Sequence, residues 1–318
     1  MTLARSGLPR FSASKYDLIL AALVVVLVGF FSLVARNFLS PFNIQTLMIN
    51  VSVLFLASLG GTIVIMTGCL DLSYSGVLTL SAVVTALLLP SMGAAALLAG
   101  VAAGCVFGLA NGILFTKARI PSFLVTLGTL YVAMGISNQL TPGGLSIPTK
   151  GELDFLLTDT IPGVHPLLIW TVALAAVLYF VFRRTAFGWR IYASGSNELG
   201  ALLNGVKVGR VRVAAFVLSG ALAGLTGILL LSYFGGATGG LGSNLVFIPL
   251  AVIVLGGTSL SGGVGGPHRT LIGAFLIAVI LDGLELTGVS PGIVTLCEGV
   301  AIILTTTVVS REIKTLAM

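Results

Sequence analysis

The chain has 318 residues, of which 57% are hydrophobic and 8% charged, with a net charge of +6. About 25% of a soluble domain is charged, so a soluble fold is excluded and the composition defines an all-α polytopic membrane protein. The apolar stretches do not alternate as barrel strands do, which excludes a transmembrane barrel. The basic residues cluster in short loops, as topology charge rather than a nucleic-acid surface.

A helix needs about 20 apolar residues to cross roughly 30 Å of hydrocarbon. Ten segments of this kind run near 18–35, 44–67, 72–90, 94–115, 121–140, 166–182, 213–234, 245–259, 270–287 and 291–309. The first follows Arg5, Arg10 and Lys15, as a signal peptide would. Its core is long and no small-x-small site follows it, so it reads as an uncleaved span. The second, third, fifth and eighth carry glycine, proline or polar breaks and can be half-helices or re-entrant. With the N-terminus inside and ten crossings, 14 of the 16 Lys and Arg residues fall inside and only Arg36 and Lys150 outside. That is the positive-inside bias, and it makes both termini cytoplasmic.

In the second-to-third segment, Asp71 stands in MTGCLDLS, between Gly68 and Ser73. A carboxylate there costs about 2.5–3.5 kcal/mol on insertion scales and normally lines water or meets a partner. Asp71 is therefore either a wall of a translocation path or the N-cap of the next helix. The fourth segment carries Gly100, Gly104, Gly108 and Gly112 at a period of four, a flat ridge for close packing within the chain or at a subunit interface; Gly220 and Gly224 make a shorter one. On the fifth, opened by Pro121, the residues Phe123, Thr126 and Thr129 are three apart and form either one path-lining face or ordinary packing. The outer loop 141–166 holds Glu152, Asp154 and Asp159 and reads as a lid, a docking surface or a plain connection. Cys69, Cys105 and Cys297 read as small apolar side chains.

The segment 187–212 is a polar interruption. Ser194, Gly195, Ser196 and Asn197 read as a turn and N-cap, and Glu198, Leu199, Ala201, Leu202 and Leu203 as a short amphipathic helix ended by Asn204–Gly205. Arg190, Lys207, Arg210 and Arg212 flank it. A two-turn helix is not stable alone, so it docks in a partner's groove, on the chain's own inner surface or at the lipid interface. Val64–Val84 and Val252–Gly266 echo each other: each runs from an apolar helix through a Gly/Ser break, the pattern of a parallel internal repeat. The second break, GGTSLSGGVGG, lacks G-x-x-x-x-G-K-[ST] and so reads as a hinge or helix break, not a nucleotide cradle. Asp282 and Glu285 share a helix face near an outer end, as interfacial carboxylates or a proton-coupling pair, with Glu298 further on; His165 and His268 fall in loops. No catalytic or metal-ligand constellation is visible, so an enzyme is not expected and any ATP must be bound by another chain.

Four blocks in order, MTGCLDLS, IPSFLVTLGTLYVAMGI, GWRIYASGSNELGALLNGV and LGGTSLSGGVGG, resemble the permease subunit of bacterial ABC importers for ribose, xylose, related monosaccharides and autoinducer-2. The resemblance spans nearly the whole chain and implies one permease domain, 1–318, in the bacterial cytoplasmic membrane. It implies a second permease chain, identical or related, a periplasmic or lipid-anchored binding protein, and an ATPase subunit that carries the ATP and magnesium; no cofactor is expected on this chain. It places the ATPase contact at Arg190, Gly195, Asn197, Glu198 and Leu202. It places the pathway at Asp71 and Ser73, with Phe123, Thr126, Thr129, Gly256, Gly257 and Ser259 as further candidates. The family usually has Gly at the place of Cys69 and Val–Gly at the places of Tyr74 and Ser75, so the pathway block is bulkier here. The alternative is an ion- or proton-coupled secondary transporter, with Asp71, Asp282 or Glu285 as its coupling site.

Overall fold

The structure, a computed structural model, describes residues 15–149, 151–290, 292–296, 299–300 and 303. The helices are α1 (Lys15–Val34), α2 (Pro41–Ile65), α3 (Tyr74–Met92), α4 (Ala95–Lys117), α5 (Ser122–Leu140), α6 (Pro166–Arg184), α7 (Ala186–Ser196), α8 (Glu198–Leu203), α9 (Val208–Phe234), α10 (Ile248–Leu255) and α11 (Pro267–Leu286). Among the described residues six helices, α2 to α6 and α9, are long and apolar enough to cross a membrane. The fold is all-α and multi-pass. Its sheet among the described residues is one antiparallel pair of two-residue strands, Ile147–Pro148 against Gly236–Ala237.

Helices α2 and α9 form the centre and bury most of their length. Both are apolar on all sides, as a helix enclosed by other helices must be. Helix α9 lies against α4 along the glycine ridges. A β-carbon on Gly104 would strike the Gly220 carbonyl, and one on Gly220 would strike the Gly104 carbonyl. Gly108 sits on the Phe216 backbone, Gly112 lies 2.9 Å from the Val213 Cα and Gly224 lies 2.8 Å from the Val101 Cα, each measured from a β-carbon built there. The ridge is thus packing within the chain, and it holds α9 close to the elements that carry the polar site. Gly104→Leu is expected to destabilise the fold by about 1–3 kcal/mol through overpacking. Gly128→Leu, where a β-carbon meets nothing within 4 Å, is expected to be neutral. Thermal unfolding in detergent measures both.

The two ends of the bundle differ. One gathers Lys117 from α4, Arg183 and Arg184 from α6, Arg210 and Arg212 from α9, and Arg269 from α11. At the other, the loop 141–166 is packed down rather than free. The Ser232 hydroxyl donates to the Leu153 carbonyl (2.9 Å), the Trp170 indole donates to the Leu156 carbonyl (2.8 Å), and Leu153 is buried.

Several expectations change. The eighth segment is a half-helix, one of the forms its breaks allowed: α10 has eight residues, about 12 Å of helix, because Gly256 and Gly257 end it early. The second, third and fifth are full helices of 25, 19 and 19 residues, so their breaks fall between helices. Asp282 is not interfacial. It is buried and accepts a hydrogen bond from the Asn43 side chain at 2.7 Å, since α11 packs against the start of α2, while Glu285 is exposed. His268 lies in the first turn of α11, not in a loop, and His165 caps α6 by accepting from the Leu167 N–H at 3.3 Å. Lys150, Cys297, Glu298 and most of the tenth segment lie outside the described residues.

Candidate functional site

Helix α2 stops where Gly68 takes a left-handed φ of +78°, a conformation that glycine adopts without strain. The chain then crosses to α3 through Cys69, Leu70, Asp71, Leu72 and Ser73. Asp71 does not cap α3. Its Oδ1 accepts the Ser73 N–H (3.0 Å) and the Ser73 hydroxyl (2.6 Å), closing a turn just before the helix. Its Oδ2 accepts the Ser219 hydroxyl of α9 (2.7 Å). The Ser73 oxygen accepts from the Asn111 amide of α4 (2.8 Å), and the Asn111 carbonyl accepts the Thr129 hydroxyl of α5 (2.8 Å). Every donor in this chain of bonds points toward Asp71, so one carboxylate organises four separate elements. Such a network is worth most in a low-dielectric interior, where each unmade bond is costly.

The bulk of Tyr74 is accommodated by Gly60, against which its ring packs. Its hydroxyl donates to the Leu56 carbonyl (2.8 Å) and shares a hydrogen bond with Thr226 (3.0 Å). Beside Asp71 lies a cavity lined by Gly61, Tyr74, Ser75, Pro249 and Ile253, bringing α2, α3 and α10 together. The Ser75 hydroxyl on its wall is buried with no hydrogen-bond partner. On α5, Thr126 is buried and donates to the Ser122 carbonyl (2.9 Å), Thr129 turns to Asn111, and Phe123 is exposed. A step of three residues drifts by about 60° around a 3.6-residue helix, so the three do not keep one face.

The second break joins α10 to α11. Gly256 packs against the Arg269 backbone, which lets α10 and α11 close on each other. Gly257 has φ +88° and its carbonyl accepts from the Arg269 guanidinium at 2.9 Å. Ser259 is buried and closes the loop by donating its N–H to the Val264 carbonyl at 3.0 Å.

The two breaks meet. The Gly263 N–H donates to the Met66 carbonyl at 3.0 Å. A β-carbon built on Gly262 lies 2.6 Å from the Gly68 nitrogen and 3.0 Å from the Gly195 Cα, and one on Gly195 would strike the Met66 carbonyl. Three strands of bare backbone therefore cross at one point: the first break, the second break, and α7 of the polar segment. Tyr192 adds a bond from α7 to the second break, its hydroxyl donating to the Gly265 carbonyl at 2.8 Å. Burial pushes that phenol up from its ordinary pKa, so it stays a donor.

Ser194 to Ser196 are not a turn but the last turn of α7, with Ser194 and Ser196 bonding back to the Arg190 and Tyr192 carbonyls (2.7 Å each). The break comes at Asn197, whose φ of −155° leaves the helical region and whose side chain caps α8 by accepting the Gly200 N–H at 2.8 Å. Glu198 gives both oxygens to the Arg212 guanidinium, each at 2.8 Å. On α8 only Ala201 is buried. Leu199, Leu202 and Leu203 stand 68%, 49% and 80% exposed, at the arginine-rich end of the bundle, with Arg190 exposed nearby.

Asn111, Ser219 and Arg212 are missing from the sequence-based site. Asn111 carries a usable signal, a lone amide in an apolar span. Ser219 carries none, because a helical serine can satisfy itself on its own backbone. Arg212 is hidden among the other basic residues of its loop.

A multi-pass helical protein whose two interrupted helices converge on a short polar segment has the build of a membrane transport component. The chain belongs to the family described as branched-chain amino acid transport system / permease component, whose profile matches residues 43–306. It is 35% identical over 283 residues to the ribose import permease protein RbsC of Bacillus subtilis (strain 168), covering 88% of each chain. It is 35% identical over 290 residues to the probable ABC transporter permease protein y4mJ of Sinorhizobium fredii (strain NBRC 101917 / NGR234), covering 90% of this chain and 86% of the relative. It is 33% identical over 259 residues to the autoinducer 2 import system permease protein LsrC of Yersinia pestis (strain Pestoides F), covering 81% of this chain and 74% of the relative. No solved structure is significantly similar to it.

Proposed function

We propose that this chain is the membrane subunit of an ABC importer that carries a monosaccharide or related small polar solute into a bacterial cytoplasm. The observation that carries this reading is α8. Three leucines are held outward on a helix too short to be stable alone, capped by Asn197 and oriented by the Glu198–Arg212 fork. Such a patch fits an apolar groove on a partner ATPase, where a few buried side chains carry most of the binding energy. Arg190, Asn197, Glu198 and Leu202 belong to that contact or its frame, and Gly195 passes its movement inward. The basic residues gathered at that end of the bundle put α8 on the ATPase side of the inner membrane, as the positive-inside rule requires. A second permease chain completes the pathway, and an external binding protein delivers solute near the loop 141–166. Asp71 and Ser73 stand at the inner wall of the pathway. Gly256, Gly257 and Ser259 shape the second break, and Phe123, Thr126 and Thr129 belong to the helix beside the first. The relatives named for ribose and autoinducer-2 import support a solute of that class.

The test is purification of the tagged chain from native membranes in mild detergent, followed by mass spectrometry of what remains bound. A stoichiometric partner with nucleotide-binding motifs is expected. Replacing Leu199 and Leu202 together by glutamate is expected to weaken its retention at least 30-fold, about 2 kcal/mol on a hot-spot scale. A chain recovered alone that transports after reconstitution without ATP would refute the importer and leave the secondary transporter.

A further inference from the structure

Resting on the importer reading, we infer that Arg212 is the positioning residue through which the docking helix α8 acts on the Asp71 turn. Its guanidinium faces three ways. Two nitrogens grip the Glu198 carboxylate in the first turn of α8, at 2.8 Å each. The Nε points at the Thr67 carbonyl, 3.4 Å away, in the residue before Gly68. Its Cζ lies over the Phe115 ring of α4, 5.6 Å from the ring centre. Arg212 thus touches the docking helix, the first break and the helix that carries Asn111.

The ion pair is a poor device for stability. Glu198 is half exposed, with its side chain at 50% against 16% for Arg212, and a pair this open to solvent contributes little. Its geometry is nevertheless demanding: a bidentate fork uses the planarity of arginine, which lysine lacks. A fork that is weak as a brace but strict in direction suits a link that transmits position. When a partner shifts α8, Glu198 draws on the guanidinium, and the Thr67 carbonyl on its other edge follows. Thr67 lies four residues from Asp71 across the Gly68 pivot, so the turn that holds Ser73 and Asn111 is reset. The Gly195 crossing moves in the same direction, because α7 and α8 are separated only by Asn197.

The experiment uses the whole complex, with its ATPase and binding protein, in liposomes, with Cys105 and Cys297 replaced by serine so that Cys69 alone reports on the first break. Cys69 is buried there. The wild-type complex is expected to show ATP-driven uptake and a nucleotide-dependent rate of Cys69 alkylation. Arg212→Gln and Glu198→Gln are each expected to assemble, to lower solute carried per ATP about 10-fold, and to erase the nucleotide response of Cys69. Arg212→Lys is expected to restore the charge but not the coupling ratio. Wild-type coupling in Arg212→Gln, with the alkylation response intact, overturns the link while the importer reading stands. A wild-type complex without ATP-driven uptake overturns the importer reading and the link with it. If Arg212→Gln does not assemble, Glu198→Gln decides alone.

Discussion

Gly195→Val is expected to abolish uptake, and Gly195→Ala to reduce it more than 10-fold. A single β-carbon at this position collides with the Met66 carbonyl and lies 2.5 Å from the Gly263 nitrogen, both of them backbone. Backbone atoms cannot rotate aside as a side chain end can. The helix must back away or the Met66–Gly263 hydrogen bond, 3.0 Å long, must open. Overpacking costs about 1–3 kcal/mol, a sizeable part of the about 5–15 kcal/mol that holds a typical domain together. The larger loss is functional, because the crossing is where α7 touches both interrupted helices at once. Gly209→Ala is the matched control. It sits in the first turn of α9 with nothing within 4 Å of an added β-carbon, and alanine gains up to about 1 kcal/mol of helix propensity there. Thermal unfolding of the solubilised chain and uptake in vesicles measure the pair. Equal uptake in Gly195→Ala and Gly209→Ala would remove the crossing from the mechanism.

Membrane class, most helix positions and the polar segment are legible in the sequence because each rests on a local signal: hydrocarbon runs, the cost of a lone carboxylate, the Asn-Glu start of a helix. Asp71 stands out for that reason, and so do the two Gly/Ser breaks. Their meeting does not, because Met66, Gly195 and Gly262 are brought together by backbone crossing backbone, and glycine in a loop looks the same whether it turns freely or touches another chain segment. The glycine ridge of α4 is legible as a ridge, and only packing reveals α9 as its partner. Ser194 and Ser196 mislead, since serine and glycine in a polar stretch read as a turn, whereas here each hydroxyl bonds back within α7 and the helix runs on to Asn197. The resemblance to importer permeases supplies what periodicity lacks, the expectation that the polar segment faces an ATPase. It is silent on Arg212, which the geometry singles out.

Asp71→Asn and Asp71→Ala are expected to separate folding from transport. The carboxylate accepts three hydrogen bonds, from the Ser73 N–H, the Ser73 hydroxyl and the Ser219 hydroxyl. Alanine leaves these donors unpaired, at about 1–3 kcal/mol for each one that finds no substitute. Through Ser73 it also loosens Asn111 and Thr129, so Asp71→Ala is expected to lose both thermal stability and uptake. Asparagine is gentler. Its oxygen can keep both Ser73 bonds, and its amide can donate to Ser219, whose hydroxyl can turn to a carbonyl one helical turn back. It also removes a charge that is costly to hold inside a membrane protein. Asp71→Asn is therefore expected to unfold no earlier than the wild type, yet to carry solute at least 10-fold more slowly. What it lacks is the carboxylate that, on the proposed pathway, would accept from the hydroxyls of a passing solute. Uptake measured beside a melting curve reads both quantities from one preparation. Wild-type uptake in a stable Asp71→Asn protein would reduce Asp71 to the keystone of a turn, and the pathway would have to run elsewhere along the cavity walled by Tyr74, Ser75 and Ile253.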